Sequence, residues 1–305
     1  MKYGNFARLA LSGLVLACAA TIAVADDAAP TKKSHTARHH HRHTTLDTAT
    51  HLAVRSASAL VLDQSTGSVL YEKNPGAVVP IASITKLMTC MVVLDAKLPL
   101  NEELTTSKDD VDTIKGTRSR IKVGVTLTRE ELLNLALMAS ENRAAATLSR
   151  NYPGGREAFI AAMNHKAQEL GLVDTRFYDP TGLTAANVSN ARDLVKMVAA
   201  AREYPLIREF STSPKREVMI GGRLQAFHNT NSLVRSRDWD IDLSKTGYIS
   251  EAGKCLVMEA WVNDKPTIIV LLDSWGKKTR LGDANRIKRM LERGTTVAQQ
   301  RSTAG

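Results

Sequence analysis

Ser83 and Lys86 are the residues whose types and spacing most clearly suggest chemistry. They stand three positions apart in Ser83-Ile84-Thr85-Lys86, at the start of an apolar run. On a helix that spacing puts both side chains on one face, so the amine can reach the hydroxyl. A serine hydroxyl is a poor nucleophile without a base, and a lysine whose pKa is lowered by burial can serve as that base. The alternative is a helix-capping serine beside a lysine that extends to solvent.

Two other pairs share this spacing, Ser119 with Lys122 and Ser274 with Lys277. Ser119 lies in a polar, strand-like stretch, and Ser274 runs into a Trp-Gly sequence, so neither pair is predicted to share a helix face. Only Ser83 opens a helix that is apolar nearly all round, where burying an ammonium is costly unless it has a role.

A second polar group, Ser140-Glu141-Asn142, is predicted to close a helix that begins with the capping box Thr128-Arg129-Glu130-Glu131. A serine hydroxyl can relay a proton, and an asparagine amide can bind a carbonyl group. Taken alone the motif carries little weight, because polar residues at helix ends are common. A second Ser-x-Asn match, Ser149-Arg150-Asn151, runs directly into a turn.

The third group is Lys245-Thr246-Gly247, which occurs once in the sequence. A glycine within a strand often marks the close approach of a ligand or another backbone. The lysine and threonine beside it offer a cation and a hydroxyl to a carboxylate. The structural alternative is a basic strand end followed by a turn glycine.

Composition limits the class of protein. The chain has 305 residues, 43% of them hydrophobic and 24% charged, which suits a globular fold with one large or two small cores. Collagen-like, disulfide-scaffold, disordered and polytopic membrane proteins are excluded. Six of the eight histidines fall between residues 35 and 51, which leaves His165 and His228 in the body. A catalytic histidine or a metal site in the fold is therefore not expected.

The first 25 residues are typical of an export signal. Lys2 and Arg8 precede an apolar run, and Ala23-Val24-Ala25 matches a cleavage site before Asp26. We therefore expect a periplasmic protein cleaved near Ala25-Asp26, with an uncleaved anchor as the alternative. A lipoprotein site at Cys18 is disfavoured.

Residues 26–51 are polar, basic and rich in histidine, which predicts a disordered linker, with metal binding as the alternative. Beyond it, Cys90 and Cys255 lie in apolar runs and are interpreted as buried small hydrophobes, although one disulfide is possible.

The net charge of +10 is scattered and accompanies no nucleic-acid motif. It fits an anionic cell-surface polymer better than DNA.

Hydrophobic periodicity predicts the elements that position these groups. We expect strands at 57–63, 68–72, 216–220, 224–228, 254–262 and 267–273, and helices at 83–98, 132–140, 156–170, 192–203 and 282–293. Repeated βαβ units are absent, so a parallel doubly wound sheet is disfavoured. An antiparallel sheet built from both ends of the chain, with a helical insertion, fits this order.

Together and in this order, the three polar groups match the motif set of class A β-lactamases and penicillin-binding proteins. Over Ser58 to Arg293 the sequence resembles the serine DD-peptidases of the penicillin-binding family. Pro80-Ile81-Ala82-Ser83-Ile84-Thr85-Lys86-Leu87-Met88-Thr89 resembles their nucleophile segment. Three segments resemble the D-alanyl-D-alanine endopeptidase branch: Ser140-Glu141-Asn142-Arg143-Ala144-Ala145-Ala146, Asp179-Pro180-Thr181-Gly182-Leu183 and Lys245-Thr246-Gly247-Tyr248. Glu141 stands where the motif has Asp, a position that varies in the family.

The resemblance implies a mixed α+β fold of the β-lactamase and DD-peptidase type. An antiparallel five-stranded sheet is flanked by helices, with a helical subdomain and a cleft between them. We place the catalytic domain at 52–298 and a flexible tail at 299–305. Many carboxypeptidases of the family append a β-rich domain and a membrane anchor. We expect neither here, and no stable membrane attachment once the signal is cleaved.

The resemblance also implies roles. Ser83 is the nucleophile, Lys86 its base, and Ser140 a proton relay. The substrate-binding residues are Asn142, Lys245, Thr246, Gly247 and Tyr248. Backbone N–H groups of Ser83 and Tyr248 form the oxyanion hole. No cofactor and no metal are needed.

The expected reaction is cleavage of D-Ala–diaminopimelate cross-links in peptidoglycan stem peptides, with penicillin-type β-lactams as covalent inhibitors. The alternative is a carboxypeptidase that removes the terminal D-Ala. The hypothesis of a non-catalytic wall- or metal-binding protein is less favoured than either enzyme. A β-lactamase is disfavoured because no Glu-x-x-x-Asn element lies between Asn151 and Lys245. Nucleic acid is not an expected partner.

Overall fold

The structure is a computed structural model that describes residues 53–302, and it describes side chains as far as Gly294. The predicted signal peptide (1–25) and His-rich linker (26–51) lie outside the described residues, as do residue 52 and residues 303–305. Within the described part, no helix combines the length and apolar character that a membrane-spanning segment requires.

The described residues form strands and α-helices whose bounds follow. The strands are β1 (Ser58–Asp63), β2 (Val69–Lys73), β3 (Val79–Pro80), β4 (Glu103–Thr105), β5 (Thr126–Thr128), β6 (Val188–Ser189), β7 (Lys215–Ile220), β8 (Arg223–His228), β9 (Asp240–Ile249), β10 (Gly253–Val262) and β11 (Lys265–Ser274). The helices are α1 (Thr85–Asp95), α2 (Arg129–Met138), α3 (Asn142–Arg150), α4 (Gly155–Glu169), α5 (Ala191–Ala201), α6 (Pro205–Thr212) and α7 (Thr279–Ser302).

Five strands form one antiparallel sheet in the order β2-β1-β11-β10-β9, so β9 is an edge strand. Ser58 of β1 lies opposite Leu272 of β11, and Lys245 of β9 lies opposite Val257 of β10. The first hairpin and the last long strands thus come together from both ends of the described chain. This confirms the predicted five-stranded antiparallel sheet and the mixed α/β class.

Helices cover both faces of this sheet. One face, including Leu60 and Val257, packs into the larger core cluster together with buried residues of α1, α2 and α5. The other face, including Leu256, packs with Ala284 and Ile287 of α7. Since neither face is left to solvent, β10 and β11 are apolar at successive positions instead of alternating.

The predicted elements differ from the observed ones around the second polar group. The capping box at Thr128 is present, and its helix α2 ends at Met138. Ser140-Glu141-Asn142 does not close that helix as predicted, because Asn142 is the first residue of α3. The sequence pattern predicts neither α3 nor α6. Helix α3 is amphipathic but short, with nine residues, and its buried face consists largely of alanines such as Ala144 and Ala145.

Strand β9, which carries Lys245-Thr246-Gly247, is also absent from the predicted strands. The differences in the bounds of the other long elements are small. The predicted helix at 83–98 begins as a 3₁₀ turn, Ala82–Ile84, and continues as α1. Helix α7 extends from Thr279 to Ser302, beyond both predicted ends. Strands β7 and β8 pair with each other as a separate hairpin and are not part of the main sheet.

Candidate active site

Ser83 lies in the 3₁₀ turn that leads into α1. The preceding residue, Ala82, has a left-handed backbone with φ +47°. Such a conformation is unfavourable for a residue with a side chain, and it persists only where surrounding structure holds it. Ile81 and Ile84 are fully buried, whereas Ser83 is half-buried. The turn therefore presents the Ser83 hydroxyl at the surface of an otherwise buried helix start.

Lys86 lies one turn along, with no exposed surface. Its Nζ donates to Ser83 Oγ at 2.9 Å, to Asn142 Oδ1 at 2.8 Å and to the Thr181 carbonyl at 2.6 Å. Burial lowers the pKa of Lys86 to about 8, even though the charge of Asp179 acts in the opposite direction. The amine is therefore held against the Ser83 hydroxyl and is neutral in a substantial fraction of molecules near pH 8.

The loop that supplies the Thr181 carbonyl is organised by Asp179. Asp179 Oδ1 accepts from the Gly182 N–H at 2.7 Å and from Thr181 Oγ1 at 2.6 Å, and Oδ2 accepts from the Thr184 N–H at 2.9 Å. Asn187, fully buried, donates from Nδ2 to the Asp179 carbonyl at 2.8 Å. These bonds fix the loop, and so fix the third acceptor of the Lys86 amine.

Gly182 packs directly on the turn that carries Ser83. Its φ is +79°, and a Cβ at this position would lie 1.9 Å from the Ala82 carbonyl oxygen. Both the conformation and the contact require glycine.

Lys245 and Ser140 form a second contact across the site. Lys245, on edge strand β9, is 1% exposed, and its Nζ donates to Ser140 Oγ at 2.8 Å and to the Thr246 carbonyl at 2.9 Å. Ser140 has φ +58°, so the turn between α2 and α3 is strained. Burial, together with the charges of Lys86 and Arg280, holds the pKa of Lys245 well below its usual value.

The remaining residues of this stretch of β9 differ in exposure. Thr246 Oγ1 donates to Thr230 Oγ1 at 2.7 Å. A Cβ on Gly247 would lie 2.8 Å from the Ile81 carbonyl oxygen and 3.2 Å from the Ser83 nitrogen, so β9 passes directly against the turn that carries Ser83. Tyr248 is 60% exposed and lies outside this packed contact.

The structure therefore brings the predicted residues together in two linked groups. Ser83, Lys86 and Asn142 share one hydrogen-bonded cluster, and Ser140 with Lys245 forms the other. Glu141 has other partners, because its Oε2 accepts from Ser119 Oγ at 2.7 Å.

The serines of the two other Ser-x-x-Lys pairs form hydrogen bonds with residues other than their paired lysines. Ser119 bonds Glu141, and Ser274 Oγ bonds Ser56 Oγ at 2.5 Å. Cys90 and Cys255 are buried free thiols, as interpreted, and burial raises their pKa values to about 12 and about 11.

Sequence reasoning missed several residues at the site. Arg280, in the first turn of α7, donates from Nη1 to the Gly247 carbonyl at 3.0 Å. Thr117 Oγ1 accepts from Asn142 Nδ2 at 3.0 Å. Lys115, on the same loop as Thr117, pairs with Glu251 in the turn after β9, and so connects this loop to the end of β9. For Arg280, the only indication in the sequence is the general basicity of the stretch that precedes it.

No side-chain cluster suited to metal binding occurs among the described residues.

Comparisons with known proteins agree with this geometry. Residues 44–276 match the family profile of peptidase S11, D-alanyl-D-alanine carboxypeptidase. A D-alanyl-D-alanine endopeptidase of Pseudomonas aeruginosa is 51% identical over 245 residues, covering 80% of this chain and 79% of that protein. One from Escherichia coli is 47% identical over 252 residues, covering 82% and 81%.

More distant relatives carry related names. The D-alanyl-D-alanine carboxypeptidase DacF of Bacillus subtilis is 32% identical over 236 residues, covering 75% of this chain and 60% of that one. The crystal structure of the Streptomyces K15 DD-transpeptidase superposes with a TM-score of 0.72 at 28% identity, covering 78% of this chain and 97% of that one. With the family profile matching most of its length, the chain belongs to the S11 family of serine peptidases, the D-alanyl-D-alanine carboxypeptidase family.

Proposed function

We propose that this protein is an exported, periplasmic serine DD-endopeptidase that cleaves D-Ala–diaminopimelate cross-links between peptidoglycan stem peptides. The observation that carries the proposal is the buried Lys86 amine, 2.9 Å from Ser83 Oγ. The relatives that are 51% and 47% identical are named endopeptidases, whereas DacF, named a carboxypeptidase, is 32% identical. This difference favours the endopeptidase over the carboxypeptidase.

In the first step, Ser83 Oγ attacks the D-Ala carbonyl carbon while neutral Lys86 accepts the hydroxyl proton. The backbone N–H groups of Ser83 and Tyr248 stabilise the negative charge that develops on the carbonyl oxygen. This role is supported by the close approach of β9 to the turn that carries Ser83, since a Cβ on Gly247 would lie 3.2 Å from the Ser83 nitrogen. Asn142 orients the substrate amide, a role supported by its hydrogen bond with Lys86 beside Ser83.

The amine of diaminopimelate then leaves, and it must carry a proton. Ser140 relays to it the proton that Lys86 took from Ser83, which leaves Lys86 neutral again. This role is supported by the contact of Ser140 Oγ with Lys245 Nζ, a second buried amine, at 2.8 Å. Lys245 and Thr246 hold a substrate carboxylate through an amine and a hydroxyl, and the nearby Arg280 supplies positive charge. In the last step neutral Lys86 takes a proton from water as the water attacks the ester carbon, and it returns that proton to Ser83 Oγ as the shortened stem is released. No cofactor takes part.

Two measurements test this proposal. Mass spectrometry after incubation with a labelled penicillin should show one covalent adduct, absent from Ser83→Ala. An adduct that persists in the variant would overturn the assignment of the nucleophile.

Digestion of purified cross-linked muropeptide dimers should then yield monomers with otherwise unchanged stems. Dimers that persist and lose only a terminal D-Ala would identify a carboxypeptidase instead.

A further inference from the structure

A groove of about 250 Å³ adjoins the end of β9, beside the proposed active site. Its lining residues are Tyr248, Ser250, Gly253, Lys254, Ser274, Trp275, Gly276 and Lys277. We refer to it as the Trp275 groove. It begins at Tyr248, the residue after Gly247, where a Cβ would lie only 3.2 Å from the Ser83 nitrogen. A ligand in the groove can therefore be continuous with a substrate at Ser83.

Backbone features at the strand ends build this groove. Gly253 has φ +60°, and a Cβ there would lie 2.4 Å from Asp273 Oδ1. The register between β10 and β11 shifts between Lys254 and Leu256, as in a β-bulge. Bulges of this kind re-aim side chains near active sites. Here Lys254 Nζ lies 3.9 Å from the centre of the Tyr248 ring.

The chemistry of the lining suits an anionic ligand with some apolar surface. Two lysines line the groove, and its lining contains no Asp or Glu. Trp275 is 80% exposed, so its indole is available to pack against a ligand.

A cavity at the other side of the site has the opposite charge. It is lined by Asn142 and Thr181 of the site together with four aspartates and one arginine: Asp109, Asp110, Asp112, Asp179 and Arg156. The two ends of the cleft thus differ in electrostatic character, and a segment rich in carboxylates is favoured at the Tyr248 end.

The proposed mechanism sets the direction of the substrate. The leaving amine must lie near Ser140 and Lys245, where it receives its proton. Lys245 and Tyr248 are separated along β9 by about 10 Å, from the rise per residue of a strand. The acyl portion of the substrate therefore extends away from Lys245, towards Tyr248 and the Trp275 groove.

We propose that the Trp275 groove is a subsite for the carboxylate-bearing stem peptide on the acyl side of the scissile bond. Lys254 and Lys277 bind its carboxylates, and Trp275 packs against its apolar portion. The inference rests on the endopeptidase function proposed above and adds the specificity residues for its substrate.

The test uses the double variant Lys254→Gln/Lys277→Gln and, independently, Trp275→Ala. For cross-linked dimers with free glutamate α-carboxylates, we expect KM to rise about tenfold in the double variant, with kcat nearly unchanged. Dimers whose carboxylates are amidated should be cleaved equally by the wild type and the double variant. Acylation by a small penicillin, which does not fill the groove, reports an intact site. Lys97→Gln, at an exposed lysine of the turn after α1, is the matched control.

A binding measurement separates this proposal from the function on which it rests. In a Ser83→Ala background, an uncross-linked stem peptide should bind about tenfold more weakly to the double variant, whatever the enzyme cleaves. Unchanged KM and unchanged binding in both groove variants would overturn the subsite while leaving the endopeptidase intact. A wild type that acylates with penicillin but cleaves no dimer would instead overturn the endopeptidase function.

Discussion

Lys86 Nζ and Ser83 Oγ lie 2.9 Å apart, and the lysine has no exposed surface. Burial is the main reason that the pKa of Lys86 falls to about 8, and this brings the amine into the range where a general base is effective. Because the lysine also donates to Asn142 and to the Thr181 carbonyl, its position does not depend on the serine alone.

The rate of acylation by penicillin should therefore depend on pH with a defined sign. The neutral form of Lys86 increases as pH rises, so kcat/KM should climb between pH 6 and about 8 and then level off. Lys86→Arg, which stays charged, should lose about a thousandfold in rate at every pH. A flat profile in the wild type would argue against Lys86 as the base.

Gly182→Ala should damage both stability and activity. The added Cβ would meet the Ala82 carbonyl at 1.9 Å in a backbone with φ +79°. We expect a loss of about 3 kcal/mol or more in urea denaturation, with slower penicillin acylation because the turn carrying Ser83 must move.

Gly222→Ala is the matched control, because Gly222 has φ +75° and no atom within 4 Å of its would-be Cβ. It should cost about 1 kcal/mol, with acylation unaffected. Equal losses in the two variants would show that the contact with Ala82 is unimportant.

Glu259 should make stability depend on pH. Its side chain is buried on β10, and neither carboxylate oxygen makes a hydrogen bond, although Arg202 Nη1 lies 3.2 Å from Oε1. Burial raises the pKa of Glu259 to about 7. A raised pKa in the folded state gives stability that is complete below pH 4.5 and is lost as pH rises through 7.

Thermal or urea unfolding from pH 4.5 to 8 checks this. Relative to Glu259→Gln, the wild type should lose about 3 kcal/mol of unfolding free energy over that range. Glu217→Gln, at an exposed position of β7, should follow the wild type. Parallel pH profiles for the wild type and Glu259→Gln would contradict the expectation.

Deletion of residues 26–51 tests the hypothesis that the protein is a non-catalytic wall- or metal-binding protein whose functional part is the His-rich segment. If the His-rich segment is a linker, the shortened protein should react with penicillin and cleave muropeptides at the rate of the full chain. Loss of turnover in a variant whose melting temperature is unchanged would assign the segment a functional role.

Local signals in the sequence were sufficient for much of the fold. The β1–β2 hairpin, the capping box at Thr128 and the paired long strands all follow from short-range periodicity, and the structure confirms them. The sequence order of the three polar groups also placed Ser83, Lys86 and Asn142 in one site, where the structure has them in contact.

What the sequence could not provide are contacts between residues far apart along the chain. Arg280 reaches Gly247 across 33 positions, and Asn142 reaches Thr117 across 25. No periodicity links such residues, and each is an ordinary polar residue in its own segment. Helix α3 was missed for a different reason, since it has only nine residues and Asn142 resembled a helix end more than a beginning.

The close packing of Gly182 on Ala82, and of Gly247 on Ile81 and Ser83, has a consequence for drug resistance. At these two positions main chain lies against the turn that carries Ser83, so any side chain introduced there would displace Ser83. For the serine peptidase proposed above, narrowing the cleft at either glycine would therefore reduce peptide turnover together with reaction with a β-lactam. Mutations that discriminate between drug and peptide must therefore arise at the rim, where side chains can change without moving the nucleophile.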